Sequence, residues 1–226
     1  DSPPGAILSI EGGDPLEGKP ERVNEFYRYG VRMITIVHIR NNEIGDVMQR
    51  PGADSTPRNN GLSPAGRKIV ERMQELGMVV DVAHADSATL RQVVEMTARP
   101  LLDSHTSPCA ENNSVRCRRL RLWREMELVA KTGGVICTWP RGRRTVRMTF
   151  ADWARENLEM KRRLGMMHVG LGTDGGSPSF KHITGYRDIR DLTYLATAMQ
   201  EIGFSHDEIA AYMGGNLLRV LQSCIG

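Results

Sequence analysis

The sequence predicts an α/β fold in which the strands of a parallel sheet alternate with helices. Six short apolar runs have the length of buried strands, and the segments between them carry helix caps and apolar residues at helical spacing. Five of the six runs lead into a histidine or an acidic residue. A length of 226 residues suits one domain with a sizeable core, so residues 1–226 are interpreted as a single domain.

Glycine, proline or polar residues bound each apolar run, as is typical of short strands. The predicted strands cover residues 6–10, 31–37, 78–84, 100–105, 133–138 and 166–173. Strands that alternate with helices in this way indicate a parallel α/β sheet.

Helix signals occupy the segments between these strands. The first helix begins at Glu21 and ends at Gly30, where the chain needs the left-handed conformation that glycine adopts easily. Residues 39–62 lack a helical or strand pattern, and a loop of that length is usually functional. Later helices are predicted from Ser63, from about Ser87, across the arginine-rich segment with Leu120, Trp123 and Val129, from Thr149, and in a final pair whose second member opens with the capping box of Ser205 and Glu208.

Residues that can bind metal or move protons stand at the ends of five predicted strands. They are Glu11, His38, His84, His105 and Asp174. In (β/α) barrels the active site gathers at the carboxyl-terminal ends of several strands. The convergence of five such residues at one edge therefore predicts an active site there.

Histidine and glutamate are favourable ligands for zinc or a similar ion, and they leave a position for water. His84 and His105 stand in matched Asp-x-x-His and Asp-Ser-His settings, so we predict that they and Glu11 hold metal. The two oxygens of Glu11 can bridge two ions roughly 3.5–4 Å apart. A bound metal lowers the pKa of its water to about 7, which makes hydroxide available at neutral pH.

The other strand-end residues suit proton transfer and oxyanion binding. Asp174 is placed to move protons between water and the leaving group. His38 is predicted to donate to the developing oxyanion, although a structural hydrogen bond fits it equally well. The remaining histidines, His168 within a strand and His182 and His206 in polar surroundings, are interpreted as structural.

Composition argues against several function classes. A net charge of +3 and 5% aromatic residues disfavour nucleic-acid binding, and the arginines crowded at 116–124 and 141–147 are interpreted mainly as solvated surface. No stretch approaches the roughly 18 apolar residues of a membrane span. The four cysteines contain no Cys-x-x-Cys pair and are interpreted mostly as buried thiols, which favours a soluble cytoplasmic protein over an exported one.

Seven short motifs, taken in order, resemble the membrane (renal) dipeptidase family of zinc peptidases over essentially the whole chain. They are Ile10-Glu-Gly-Gly13, Thr35-Ile-Val-His38, Gly61-Leu-Ser-Pro64, Asp81-Val-Ala-His84, Ser104-His-Thr-Ser107, Gly170-Leu-Gly-Thr-Asp-Gly175 and Asn216-Leu-Leu-Arg-Val220. The resemblance implies a (β/α)8 barrel of the TIM type, related to the amidohydrolases, that hydrolyses dipeptides at a centre of two zinc ions.

The resemblance also implies a role for each matched residue. Glu11 corresponds to the bridging carboxylate, and His84 and His105 correspond to the ligands of one zinc. His38 matches the histidine that contacts the substrate carbonyl, and Asp174 matches the aspartate beside the attacking water. An arginine that binds the substrate corresponds to Arg116.

One departure from the family concerns the first metal site. The family's first strand carries a His-x-Asp pair that completes the other zinc site, and no such pair precedes Glu11. The six predicted strands also fall short of the eight in a closed barrel. We therefore expect an N-terminally incomplete barrel, the C-terminal part of a longer enzyme, in which 6–10 is an exposed apolar edge strand.

The sequence thus predicts a zinc-dependent dipeptidase acting on small dipeptides, with two ions in the complete enzyme and no nucleic-acid partner. A homodimer stays an open possibility. Two alternatives remain: a related amidohydrolase-type enzyme that acts on another small amide or lactam, and a non-catalytic metal-binding relic that lacks the first metal site.

Overall fold

The computed structural model describes residues 5–48, 56–109, 119–141, 149–175 and 182–225. Its main strands are β1 (Leu8–Glu11), β2 (Val31–Thr35), β3 (Val79–Asp81), β4 (Leu102–Thr106), β7 (Val135–Thr138) and β8 (Val169–Leu171). Within the described ranges these six strands form one parallel sheet in the order β1-β2-β3-β4-β7-β8. The short strands β5 (Pro108–Cys109) and β6 (Arg121–Leu122) pair separately. The predicted parallel α/β fold is confirmed.

Helices fill the connections, because each parallel connection has to return the chain to the opposite end of the sheet. They are α1 (Glu21–Arg28), α2 (Pro64–Glu75), α3 (Ser87–Met96), α4 (Trp123–Lys131), α5 (Phe150–Leu164), α6 (Leu192–Glu201), α7 (His206–Ala210) and α8 (Asn216–Ile225). Short 3₁₀ turns cover Asp14–Leu16, Met166–His168 and Ile189–Asp191, and a π-helical turn over Ala211–Gly215 joins α7 to α8.

Several helices begin and end at the residues that the sequence predicts. Ser63, Thr149 and Ser205 each accept a hydrogen bond from the backbone N–H three residues later, at 2.9, 3.2 and 3.2 Å. Such a bond satisfies an amide that has no partner inside the helix and contributes about 1 kcal/mol. After α1, Gly30 adopts a left-handed φ of +94° as expected.

Both faces of the inner strands β3 and β7 are buried, which explains why these strands are continuous apolar runs rather than alternating ones. Val80 and Ile136 join the large core between the sheet and the surrounding helices. Their chain neighbours Val79 and Val135 point the other way, into a second cluster that includes residues of α8. The amino-terminal ends of the strands therefore rest on α8.

The edge strand β1 carries the exposed apolar surface that the sequence predicts. It is the first strand of the sheet order, and Leu8 within it is 56% exposed. The preceding residue, Ile7, is 47% exposed.

The last predicted strand begins too early. Residues Met166–His168 form a 3₁₀ turn rather than the start of β8. The chain turns at Gly165, whose φ is +89°. Asn216 then holds the turn, because its Nδ2 donates to the carbonyl oxygens of Met166 and Val169 at 2.7 and 2.8 Å.

Two helix predictions also differ from the structure. Leu120 precedes α4, which begins at Trp123, because Arg121 lies in the extended β5–β6 pair. The final helix is interrupted, since Gly214 has a non-helical backbone inside the turn that joins α7 to α8.

The expectations drawn from composition have different outcomes. Within the described ranges, no helix is both long and apolar enough to cross a membrane. Cys137 and Cys224 are buried thiols, as predicted. Cys109 is disulfide-bonded, so the interpretation of the cysteines as thiols is wrong for this residue. Cys117 lies outside the described residues.

Gly172 lies between β8 and Asp174 and approaches the backbone of β4 too closely for a side chain. A Cβ at this position would lie 1.7 Å from the carbonyl oxygen of Ser104. We expect Gly172→Ala to force these segments apart and to lower the free energy of unfolding by about 1–3 kcal/mol, as overpacking does. Urea unfolding followed by circular dichroism measures the change.

The matched control for this substitution is Gly5→Ala, because a Cβ there would meet nothing within 4 Å. The control should change the free energy of unfolding by less than about 0.5 kcal/mol. Equal stability of the Gly172→Ala variant and the control would contradict the close approach of β8 to β4.

Candidate metal centre

The residues predicted at strand ends lie at the carboxyl-terminal edge of the sheet. Glu11 is the last residue of β1, and His105 lies within β4. His38, His84 and Asp174 lie just beyond the ends of β2, β3 and β8, in the loops above the sheet. Because the strands are parallel, these ends all face the same side of the domain.

One carboxylate oxygen meets three histidine rings. Glu11 Oε1 lies 3.1 Å from His84 Nε2 and 3.2 Å from His105 Nε2. His38 Nε2 is 3.5 Å from the same oxygen, and its ring centroid is 4.9 Å from that of His84. The Nε2 atoms of His84 and His105 are 2.8 Å apart. Ligand atoms of Glu11, His84 and His105 therefore all lie within 4.8 Å of one another.

The backbone around this cluster is strained. His84, Arg119 and Asp174 have φ values of +66°, +64° and +48°, in the left-handed region that residues with a Cβ rarely adopt. The carbonyl oxygen of His84 accepts a hydrogen bond from Met48 N at 2.7 Å, which ties this turn to the loop predicted over residues 39–62. Strain of roughly 1–3 kcal/mol per residue is typical of functional sites.

Asp81 orients His105 through Ser104. The buried Asp81 carboxylate accepts hydrogen bonds from Ser104 Oγ at 2.6 Å and from Ser104 N at 2.9 Å. Ser104 Oγ also lies 2.9 Å from His105 Nδ1. Because the hydroxyl hydrogen goes to Asp81, Ser104 Oγ accepts from Nδ1–H, and the Nε2 lone pair of His105 is left for a metal ion.

Sequence reasoning missed this role of Asp81. In the sequence, Asp81 stands out only as the first member of the Asp-x-x-His motif that contains His84. The repeated pairing of aspartate and histidine was the available signal. It did not show that the aspartate of one strand supports the histidine of the next.

The charge states of Glu11 and His84 suit metal binding. Burial lowers the pKa of His84 to about 3, so its ring is neutral at physiological pH. Hydrogen bonds with His105 and His84 hold the pKa of the Glu11 carboxyl far below its usual range, so it is ionised. Burial alone would lower the pKa of His105, but the hydrogen bond with Glu11 and the charge of Asp81 outweigh burial and raise it.

The pKa values of Asp174 and His38 are shifted in opposite directions. Burial is the main reason why the pKa of Asp174 is raised; the charge of His105 opposes the rise and that of Glu11 adds to it. Burial lowers the pKa of His38 despite the neighbouring Glu11 carboxylate. A neutral His38 ring carries one N–H donor.

These residues fit a borderline divalent ion such as zinc. Two imidazole nitrogens and a carboxylate oxygen are a common zinc ligand set, and they leave a fourth position for water. The neutral His84 and the ionised Glu11 are in the forms that metal ligation requires. Arg119 also contacts the cluster, because its Nη2 atom is 2.9 Å from His84 Nδ1 and 3.2 Å from His84 Nε2.

The arginine-rich segment is only partly a solvated surface. Arg116, the predicted substrate-binding residue, lies outside the described residues. Arg124 is exposed as expected. The prediction of a solvated surface is wrong for Arg121, which is fully buried, and for Arg119, which contacts His84.

The remaining histidines make contacts of a structural kind. His168 Nδ1 lies 2.8 Å from the carbonyl oxygen of Gly134. His206 is exposed and lies 3.2 Å from the amide nitrogen of Gln200. The ring of His182 packs 5.1 Å from that of Tyr186.

Comparison with known sequences identifies one family. A family model described as membrane dipeptidase, Peptidase family M19, matches residues 5–224. Similar curated proteins include dipeptidase tcpJ of Claviceps purpurea, 28% identical over 224 residues, and dipeptidase aclJ of Aspergillus oryzae, 30% identical over 225 residues. Each match covers 96% of this chain and 50% of the relative. The chain thus spans about half the length of these curated relatives.

Solved structures share the fold. The probable dipeptidase PvdM from Pseudomonas aeruginosa has a TM-score of 0.85 at 20% identity, and the match covers 97% of this chain and 69% of that one. A metallopeptidase from Rhodobacter sphaeroides, liganded with a phosphinate mimic of the dipeptide L-Ala-D-Ala, has a TM-score of 0.83 at 23% identity, covering 96% and 63%. The six-stranded sheet therefore corresponds to part of a TIM-type barrel.

Removing one histidine should remove most metal binding. We expect His84→Ala and His105→Ala each to weaken Zn²⁺ binding, measured by calorimetric titration, by more than about 100-fold. The reason is that loss of a residue that merely supports a ligand already costs about 10–100-fold. His206→Ala is the matched control, because His206 is exposed. Wild-type affinity in either cluster variant would contradict the assignment.

Proposed function

The chain belongs to the membrane dipeptidase family, Peptidase family M19, and on that premise we propose that it is a zinc-dependent dipeptidase acting on small dipeptides. The observation that carries the proposal is the convergence of ligand atoms of Glu11, His84 and His105 within 4.8 Å. A hydrolytic metal centre requires such a set of ligands, and the carboxyl ends of barrel strands are where it is expected.

Glu11, His84 and His105 would hold the zinc ion. When bound, the ion supplies Lewis acidity and a water molecule activated at neutral pH. The two oxygens of Glu11 suit a bridging role, so two ions are proposed for the complete enzyme. The resemblance assigns the other ligands of the second ion to a His-x-Asp pair.

Asp174 would transfer the proton, and His38 would stabilise the negative charge that develops on the carbonyl oxygen. As water attacks the peptide carbonyl carbon, Asp174 accepts its proton and then delivers a proton to the leaving amine while the C–N bond breaks. The raised pKa of Asp174 suits a group that both takes and gives a proton. The neutral ring of His38 donates its N–H to the carbonyl oxygen as charge develops there.

Arg116 would select dipeptides over longer peptides. A guanidinium binds a carboxylate through two parallel hydrogen bonds, and a dipeptide offers its free carboxylate one residue beyond the scissile bond. A longer peptide has a neutral amide at that position. The dipeptide mimic bound by the Rhodobacter sphaeroides enzyme supports this substrate class.

The wider organisation is proposed from the same premise. Residues 1–226 would form part of a single hydrolase barrel, with a homodimer as the proposed assembly. The cytoplasmic location expected from the sequence assumed that the cysteines are thiols. The bonded state of Cys109 removes that support for one of the four cysteines, since structural disulfides are rare in reducing compartments.

Asp174→Asn tests the proton-transfer role. In the full-length protein we expect kcat for dipeptides to fall about 10²–10⁴-fold, the usual contribution of a general acid–base group, while the zinc content measured by mass spectrometry stays unchanged. Asp207→Asn is the control, because Asp207 is exposed.

Removal of zinc from the wild type by a chelator should abolish hydrolysis, and added Zn²⁺ should restore it. Hydrolysis that survives complete metal removal would refute the metal-dependent function. Turnover of a lactam or another small amide in place of dipeptides would favour the amidohydrolase alternative, and metal binding without any turnover would favour the relic.

Arg116→Ala tests substrate selection. We expect kcat/KM for dipeptides to fall about 10- to 100-fold, mainly through a higher KM, because charge-assisted hydrogen bonds contribute roughly 1.5–3 kcal/mol. Arg124→Ala, at an exposed arginine of the same segment, should leave KM unchanged. Loss of zinc from the Arg116→Ala variant would contradict a role confined to the substrate.

A further inference from the structure

A fully buried guanidinium lies between the two strands that deliver His84 and His105. The side chain of Arg121 has no exposed surface, and neither does its partner Asp103. Arg121 Nε donates to Asp103 Oδ2 at 2.7 Å. Neither residue contributes a ligand atom to the cluster above them.

The same guanidinium brackets the turn that presents His84. Arg121 Nη2 donates to the carbonyl oxygen of Val82 at 2.6 Å, and Nη1 donates to that of Ala85 at 2.7 Å. Val82 and Ala85 lie on either side of His84, whose left-handed backbone has a φ of +66°. Two hydrogen bonds from one rigid group thus fix both ends of a strained turn.

Arg121 also brackets His105. Its side chain binds Asp103, which precedes His105 in β4, and its backbone N–H donates to the carbonyl oxygen of Ser107 at 3.1 Å. The β5–β6 pair continues this contact through Pro108 and Arg121. A single residue therefore holds the chain on both sides of each histidine.

We propose that Arg121 is a positioning residue for the metal centre, which sets the relative placement of His84 and His105 so that their Nε2 atoms converge on Glu11. The proposal rests on the metal-dependent function proposed above. It adds a residue that touches neither metal nor substrate. A shift of either histidine would open the 2.8 Å separation between their Nε2 atoms.

Arginine is required for this role because of its shape. The guanidinium is a planar fork whose donors point in fixed directions, and here three of its nitrogens bind three different oxygens. Lysine keeps the positive charge opposite Asp103, but its single ammonium cannot reproduce the fork. Arg121→Lys thus separates the positioning role from simple charge pairing.

Arg219→Lys is the matched control. Arg219 also binds two backbone carbonyl oxygens, those of Gly133 and Met167, each at 2.8 Å. Those carbonyls do not flank a histidine of the cluster. The same chemical change is therefore made at two arginines that anchor backbone, of which only one brackets His84 and His105.

Co²⁺ binding to the full-length protein, after removal of native metal, provides the test. Affinity is measured by competition with a chelator, ligand geometry by the visible absorption of bound Co²⁺, and stability by urea unfolding. We expect Arg121→Lys to weaken Co²⁺ binding about 10- to 100-fold, as loss of a supporting residue does, and to shift the absorption bands. Arg219→Lys should change neither.

Unchanged Co²⁺ affinity and spectrum in Arg121→Lys would overturn the proposal. An equal effect of both substitutions, in proportion to lost stability, would overturn it as well, because it would show a general structural role. If Arg121→Lys fails to fold, Asp103→Asn weakens the hold on the guanidinium from β4, and the same decrease in affinity is expected.

A wild-type protein that binds no Co²⁺ would refute the proposed metal-dependent function and still leave a readout for Arg121. In that case the histidine ring ¹⁵N signals of the metal-free protein decide. Arg121→Lys should move the signals of His84 and His105, whereas Arg219→Lys should not. Unmoved signals in Arg121→Lys would overturn the positioning role.

Discussion

The buried carboxylate of Asp81 holds together the three strands beneath the metal centre. It accepts hydrogen bonds from Thr35 Oγ1 at 2.5 Å, from Ser104 Oγ at 2.6 Å, and from the amides of Ala83 and Ser104 at 3.0 and 2.9 Å. These donors come from β2, β4 and the chain just after β3. Because a buried charge is tolerated only with its hydrogen bonds made, a shift of any of these strands would be costly. The positions of the histidines therefore depend on the hydrogen bonds to the Asp81 carboxylate.

The strained backbone of His84 is compatible with the fixed strands beneath it. The left-handed turn is unfavourable for a residue with a Cβ, and it persists because contacts from several segments fix it. The backbone N–H of Met48 donates to the His84 carbonyl oxygen, and Arg121 donates to the carbonyl oxygens of Val82 and Ala85. The turn directs an imidazole over the sheet, toward Glu11, as an extended strand end would not.

Neighbouring arginines in the sequence take three different environments in the fold. Arg119 contacts His84 at the cluster, Arg121 is buried against Asp103, and Arg124 is exposed on α4. The buried Arg121 is tolerated because each of its three guanidinium nitrogens donates to an oxygen. Charge patterning predicts a solvated surface for such a segment, because the sequence does not show which arginine will contact a carboxylate in the folded protein.

The sequence by itself determined the parallel sheet, most helix starts and the choice of Glu11, His84 and His105 as the cluster. Apolar runs, caps such as Ser63 and turns such as Gly30 act between residues close in the chain, and parallel strands always bring their carboxyl ends to one edge.

Only the tertiary structure decided that Asp81 supports the histidine of the next strand through Ser104, that Arg121 is buried and that Asn216 turns residues 166–168 away from β8. Each of these outcomes is a hydrogen bond to a buried group from a distant part of the chain. Such a bond exists only once the strands and helices have become neighbours, and no local pattern records which neighbours they will be.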